Sequence, residues 1–132
     1  GDYKAAIDAY ANAGLKVMVT EFDISILPPP GLRVSSNIAD TEAYRNEIDP
    51  YRKGLPDSAR IAWEERVLDF FRLFIESGDK ITRVTLWGVT DGDSWKNNFP
   101  VRGRTDYPLL FDRKYNAKPV VQKIIELGRR NK

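Results

Sequence analysis

Apolar positions along this chain fall into two patterns, one recurring at helical spacing and one forming short continuous runs. From Asp2 to Ala13, the positions Ala5, Ala6, Ile7, Ala9, Tyr10 and Ala13 form a helical stripe, and Gly14 is placed to be its C′ residue. Val17, Met18 and Val19 form an uninterrupted run, the pattern of a parallel strand buried on both faces, and predict a strand over Lys16 to Ile24. A wider face of Ile61, Val67, Leu68, Phe70, Phe71, Phe74 and Ile75 predicts a long helix, capped by Asp57 or Ser58 and ended at Ser77 by Gly78. Trp63, on that helix, is assigned to packing. Ile81 to Val89 is rich in β-branched residues and reads as a second strand. Asn116 is expected to cap a last helix with Pro119 in its first turn and Val120, Val121, Ile124, Ile125 and Leu127 on its buried side, before Gly128 and a basic tail.

The segments between these elements are unequal. Pro28-Pro29-Pro30-Gly31 opens a polar stretch that runs to Pro56 and holds at most one short helix, Asp40 to Ile48. Most connections in compact domains are about five residues long, so a loop of this length points to function or disorder. Tyr44, Arg45, Tyr51 and Arg52 inside it favour function. A second long loop, Lys96 to Tyr115, follows the second strand. Both strands thus end in long loops and begin from tight ones. Barrels of the (β/α) type show this asymmetry, because their active-site loops all leave one face.

Composition narrows the chemistry. The chain has 132 residues, the size of one ordinary domain, with 42% hydrophobic and 30% charged residues. A net charge of +2, with both signs interspersed, gives no ground for a nucleic-acid partner. Cysteine and histidine are both absent, which removes thiolate chemistry, the commonest neutral-pH base and the commonest metal ligand. No apolar run approaches the roughly 18 residues of a membrane span, and no signal peptide opens the chain. No metal-ligand spacing, phosphate-cradling loop or nucleophile elbow is present, and neither metal nor cofactor is expected. The Asp91/Asp93 pair lacks the further oxygen ligands of a calcium loop.

The candidate chemistry sits where the first strand meets its loop. Glu21 and Asp23 are two residues apart, so strand alternation points them to one side. Glu21 there is either a carboxylate that attacks an anomeric carbon or takes a proton, or an ordinary solvated glutamate. Asp23 either orients or repels its neighbour, or caps a turn. Trp87 and Trp95 bracket a turn containing Gly88 and Gly92. They either stack on sugar rings at the rim of a cleft or pack in the core.

The stretch GLKVMVTEFDI resembles the nucleophile signature of glycoside hydrolase family 10, the endo-β-1,4-xylanases. Gly14, Val17, Val19, Thr20, Glu21, Asp23 and Ile24 match that pattern, and Phe22 stands where Leu, Ile or Tyr is usual. VTLWGVTDGDSW, followed by YPLLFDRKYNAKPVV, is similar to the family's eighth strand and final helix. The resemblance implies an α/β fold over 1–132, the C-terminal portion of a (β/α)8 barrel from its sixth to its eighth helix with strands seven and eight. It implies a retaining mechanism on xylan or xylo-oligosaccharides, with Glu21 as nucleophile and a second carboxylic acid about 5–5.5 Å away. It also implies that Asp23 holds a histidine bonded to Glu21, that Trp87 and Trp95 bind the sugar, and that the Arg102 and Arg104 loop lies over the cleft. An extracellular or periplasmic location is implied as well.

The chain departs from the family further at its acid/base glutamate and its histidines. The family's acid/base glutamate follows an Asn at a strand end, whereas Asn46-Glu47 falls in the long loop after Glu21. The partner histidines have no counterpart here. The expectation is a fragment, inactive alone, held by a complementary N-terminal segment that supplies strands one to six and the acid/base glutamate. Two parallel strands by themselves would leave an open edge on each side. The alternatives are a non-catalytic carbohydrate-binding barrel and a related clan glycosidase acting on β-glucan.

Overall fold

A computed structural model describes residues 2–30 and 38–130, and the side chains at 38–42 are outside the description. Of the predicted first long loop, residues 31–37 lie outside the described residues, as does the end of the basic tail. The elements are α1 (Asp2–Asn12), β1 (Val17–Phe22), α2 (Ile38–Ile48), α3 (Asp57–Glu76), β2 (Ile81–Leu86) and α4 (Pro119–Arg130), with short 3-10 turns at Gly78–Lys80, Asp91–Asp93 and Trp95–Asn97. Among the described residues, four helices and two strands stand in the predicted order, but β1 ends at Phe22 rather than Ile24 and β2 at Leu86 rather than Val89.

Helix ends differ from expectation. Pro56, with extended backbone, occupies the N-cap of α3 and no side chain caps that end. Asp57 instead accepts from its own helix, 3.2 and 3.1 Å from Arg60 Nε and Nη2. The backbone N–H of Asn116 donates to Asp112 Oδ1 at 2.9 Å, and α4 opens at Pro119, whose missing N–H costs nothing there. Gly128 lies inside α4 rather than ending it. Gly14 does close α1: its φ of +81° lets the Leu15 N–H return to the Tyr10 carbonyl at 3.0 Å.

β1 and β2 pair in parallel, Val17 with Ile81, Met18 with Arg83, Val19 with Val84 and Phe22 with Leu86. The register shifts between Val19 and Phe22, so Glu21 stands at an irregularity of the ladder. Parallel pairing puts the carboxyl ends of both strands, and the long loops that follow them, at one end of the sheet.

Packing is one-sided. Phe22 lies edge-on to Phe70, Phe71 and Phe74 of α3, with ring centroids 5.4–5.8 Å apart. Trp63, Val67, Leu68 and Val120 form a second buried cluster that joins α3 to α4 and takes in Ile24, Ile26, Phe71 and Leu110. Trp63 is a packing residue as expected, and its indole N–H also donates to the Ile24 carbonyl at 2.7 Å. The expectation that the Val17–Val19 run is buried on both faces fails, because Met18 is 54% exposed. A two-stranded sheet with helices against one side leaves its other side uncovered. Ile61 and Ile125, predicted to face inward, are also exposed.

Glu64 is buried between α3 and α4 and accepts from Arg60 Nη1 at 2.7 Å and Lys123 Nζ at 2.6 Å. Among the described residues, no helix is long and apolar enough to cross a membrane.

Candidate active site

Glu21 is the penultimate residue of β1 and is exposed at the end from which both long loops leave. Asp23 follows the strand immediately and is half-buried. The carbonyl of Phe22, between the two carboxylates, accepts from the backbone N–H of Trp87 at 3.0 Å. Glu21, Asp23 and the start of the Trp87 loop are therefore neighbours. Trp95 arrives from the far side of that loop, and its indole Nε1 donates to Asp23 Oδ2 at 2.7 Å. Lys96 Nζ sits 3.7 Å from Asp23 Oδ1 and 4.5 Å from the centroid of the Trp95 ring.

Trp87 and Trp95 are 48% and 42% exposed, so neither is a core residue. Trp95 stacks on exposed Phe99 with centroids 5.3 Å apart and an interplanar angle of 23°. An exposed carboxylate beside a second, anchored carboxylate and two partly exposed indoles can bind and react with a polyhydroxylated ring. A cleft of about 540 Å³ lined by Tyr3, Lys4, Arg66, Asp69, Phe70 and Leu73 lies on the opposite, helical side and contains none of these groups. It fills the gap between α1 and α3, and Asp2 also lines it.

Beneath the rim lies a buried polar framework that spacing along the chain did not reveal. Asp106 accepts from Ser25 Oγ, from Ile26 N at 3.0 Å and from Tyr107 N at 2.8 Å. Asp49 accepts from Thr105 N at 2.8 Å. Arg104, in the loop expected over the cleft, is buried, and it donates to the Ile48 carbonyl at 2.7 Å and the Pro28 carbonyl at 2.6 Å. A guanidinium is well suited to satisfying loop carbonyls that would otherwise be buried unpaired. Arg102 of the same loop is exposed.

Asp91 is fully buried. Its Oδ1 accepts from Leu109 N and Lys118 Nζ, both at 3.0 Å, while its Oδ2 lies 2.9 Å from the same ammonium without a well-directed hydrogen bond. Burial pushes the Asp91 carboxyl above its ordinary range and the Lys118 ammonium below its own, and the attraction between them opposes both shifts. Lys118 also donates to the Tyr107 carbonyl at 2.9 Å and lies 4.2 Å from the centroid of the Trp63 ring. Among the described residues, no group of three or more Asp or Glu could hold a metal ion.

The sequence profile of glycosyl hydrolase family 10 matches residues 1–127. The chain belongs to glycosyl hydrolase family 10. It is 44% identical over 126 residues to endo-1,4-beta-xylanase A of Xylanibacter ruminicola, covering 96% of this chain and 34% of that protein. It is 41% identical over 117 residues to endo-1,4-beta-xylanase A of Caldicellulosiruptor saccharolyticus, covering 88% of this chain and 29% of that protein. A solved GH10 endoxylanase retrieved from a sugarcane soil metagenome superposes with a TM-score of 0.82 at 37% identity, over 96% of this chain and 34% of its own. A mutant structure in complex with xylotriose superposes with a TM-score of 0.73 at 35% identity, over 94% of this chain and 33% of its own. The chain thus spans about a third of the length of these relatives. Its two strands and their helices are one part of the family's (β/α)8 barrel.

Proposed function

We propose that this chain carries the nucleophile and part of the sugar-binding floor of a retaining endo-1,4-β-xylanase. Glu21 attacks the anomeric carbon of the sugar at the cleavage point, and the bond to the leaving oxygen breaks as that oxygen takes a proton from a second carboxylic acid. The covalent glycosyl-enzyme is then hydrolysed by water, with the second residue acting as base. One carboxylate cannot both attack and protonate, so the acid/base glutamate comes from a complementary N-terminal segment that completes the barrel, and the chain alone is inactive. Asp23 orients the site and Trp87 and Trp95 carry xylan or xylo-oligosaccharide rings. The setting is extracellular or periplasmic, where polymeric xylan is met.

The observation that carries the reading is the exposed Glu21 carboxylate beside an Asp23 that is itself anchored by Trp95. The names of the relatives and the xylotriose complex support the substrate class.

The test is Glu21→Ala in the barrel assembled with its complementary segment. Hydrolysis of xylan should fall roughly 10⁴-fold or more while xylan binding is retained. Undiminished hydrolysis would remove Glu21 from the mechanism. Binding without hydrolysis in the parent protein would favour a carbohydrate-binding barrel. Native mass spectrometry and a thermal melt test the need for the second segment, since a cooperatively melting, monomeric isolated chain would overturn it.

A further inference from the structure

Asp91 is the point at which the two ends of the tryptophan-bearing loop are tied together. On one side, Leu109, whose N–H Asp91 accepts, packs directly under Gly88, where an added Cβ would lie 2.8 Å from Leu109 Cδ1. The backbone next to Trp87 therefore rests on the residue that Asp91 holds. On the other side, Asn97 Nδ2 donates to the Asp91 carbonyl at 2.8 Å, and Asn97 closes the 3-10 turn that begins at Trp95. The Asp91 N–H donates in turn to the Phe111 carbonyl at 3.0 Å, and Lys118, one residue before α4, is ion-paired to its carboxylate. The chain between the two indoles is thus fixed through Asp91, whose carboxylate meets Leu109 and Lys118 just before α4 and whose backbone meets Asn97 and Phe111.

We propose that Asp91, through its ion pair with Lys118, is a positioning residue that sets the placement of Trp87 and Trp95 and with it the binding of the xylan chain. Desolvating a carboxylate and an ammonium together is a poor way to gain stability, since apolar groups of the same volume often do as well or better. Directionality is what such a pair adds, because the carboxylate meets an N–H from one segment and an ammonium from another at fixed angles. Both indoles are exposed; Trp95 is steadied by Asp23, Phe99 and Lys96, while the backbone beside Trp87 rests on Leu109, the residue whose N–H Asp91 accepts.

This inference rests on the reading of Trp87 and Trp95 as sugar-binding residues, and the experiment separates the two. In the assembled barrel, Asp91→Asn and Lys118→Met are compared with Trp87→Ala and Trp95→Ala on xylohexaose, below the melting temperature of each variant. Binding lost equally from ground and transition states appears in KM, so Asp91→Asn and Lys118→Met should each raise KM roughly tenfold with kcat within about twofold. A purely structural role would lower the melting temperature and the active fraction but leave KM unmoved, and that result would overturn the inference. So would a fall in kcat at constant KM. If Asp91→Asn does not fold, Lys118→Met carries the same test with a side chain that keeps the aliphatic stem. An unchanged KM in both tryptophan variants would instead overturn the sugar-binding reading, whatever Asp91 does.

Discussion

The indole N–H of Trp95 donates to the Asp23 carboxylate at 2.7 Å across 72 positions of chain, joining the end of β1 to the loop after β2. It is the only hydrogen bond of the Trp95 ring, since Nε1 is its single donor. Trp95→Phe keeps an aromatic face but removes this donor from a carboxylate whose side chain is 9% exposed. Leaving such a group short of a partner costs about 1–3 kcal/mol. Thermal denaturation of the assembled barrel should show that loss, and Asp23→Asn with Trp95→Phe should lose less than the two single effects added.

Gly88 is held at φ +137° with Leu109 directly beneath it. Gly88→Ala meets both a backbone conformation that L residues rarely adopt and a contact of 2.8 Å with Leu109 Cδ1. The expected destabilisation is about 1–3 kcal/mol. Shortening Leu109 to Ala in the same chain should fail to restore stability, because the φ strain remains and a cavity is added. Chemical denaturation of the single and double variants checks this.

Glu64 gives the α3–α4 contact a defined pH dependence. Burial pushes its carboxyl up, but the hydrogen bonds from Lys123 and Arg60 outweigh that and hold it below its ordinary 4.5. A depressed value in the folded state means the contribution is present above 4.5 and is lost as pH falls through the folded value. Glu64→Gln should cost about 1–2 kcal/mol at neutral pH, at the low end for a buried charge pair because Arg60 and Lys123 stay hydrated. Melting temperatures across an acid titration should be flatter for the variant than for the parent.

Asp8 makes a similar link from α1 to the turn before β2. Hydrogen bonds from Lys4 and Lys80, each at 2.6 Å, hold its carboxyl at about 2. Its stabilising effect is present above the ordinary 3.8 and is lost as pH falls from there through about 2. Asp8→Asn should therefore remove one component of acid sensitivity in that window and change nothing in the slope of stability between pH 6 and 8. Acid unfolding followed by circular dichroism reads both.

Apolar periodicity made α1, α3, β1 and β2 legible, because each has a face that has to be buried and the spacing of that face reports the element. Glu21, Asp23, Trp87 and Trp95 were legible as candidates because they stand where a strand ends. The structure brings the first three to one end of the sheet and ties Trp95 to Asp23. Helix caps were misread at Asp57 and Asn116, since each side chain or backbone group found a nearer partner in its own turn. Arg104, Asp106 and Lys118 were beyond reach for a different reason. A charged residue in a loop reads as solvated, and what buries these is a partner 76, 81 or 27 positions away. Nothing in local spacing reports such a partner.

Arg104 and Thr105, in the loop after β2, are bonded to Pro28, Ile48 and Asp49 in the segment after β1. The two rims are thus a single mechanical piece. An engineer who exchanges one of them with the corresponding segment of a relative would break this latch, and would have to transplant both as a matched set.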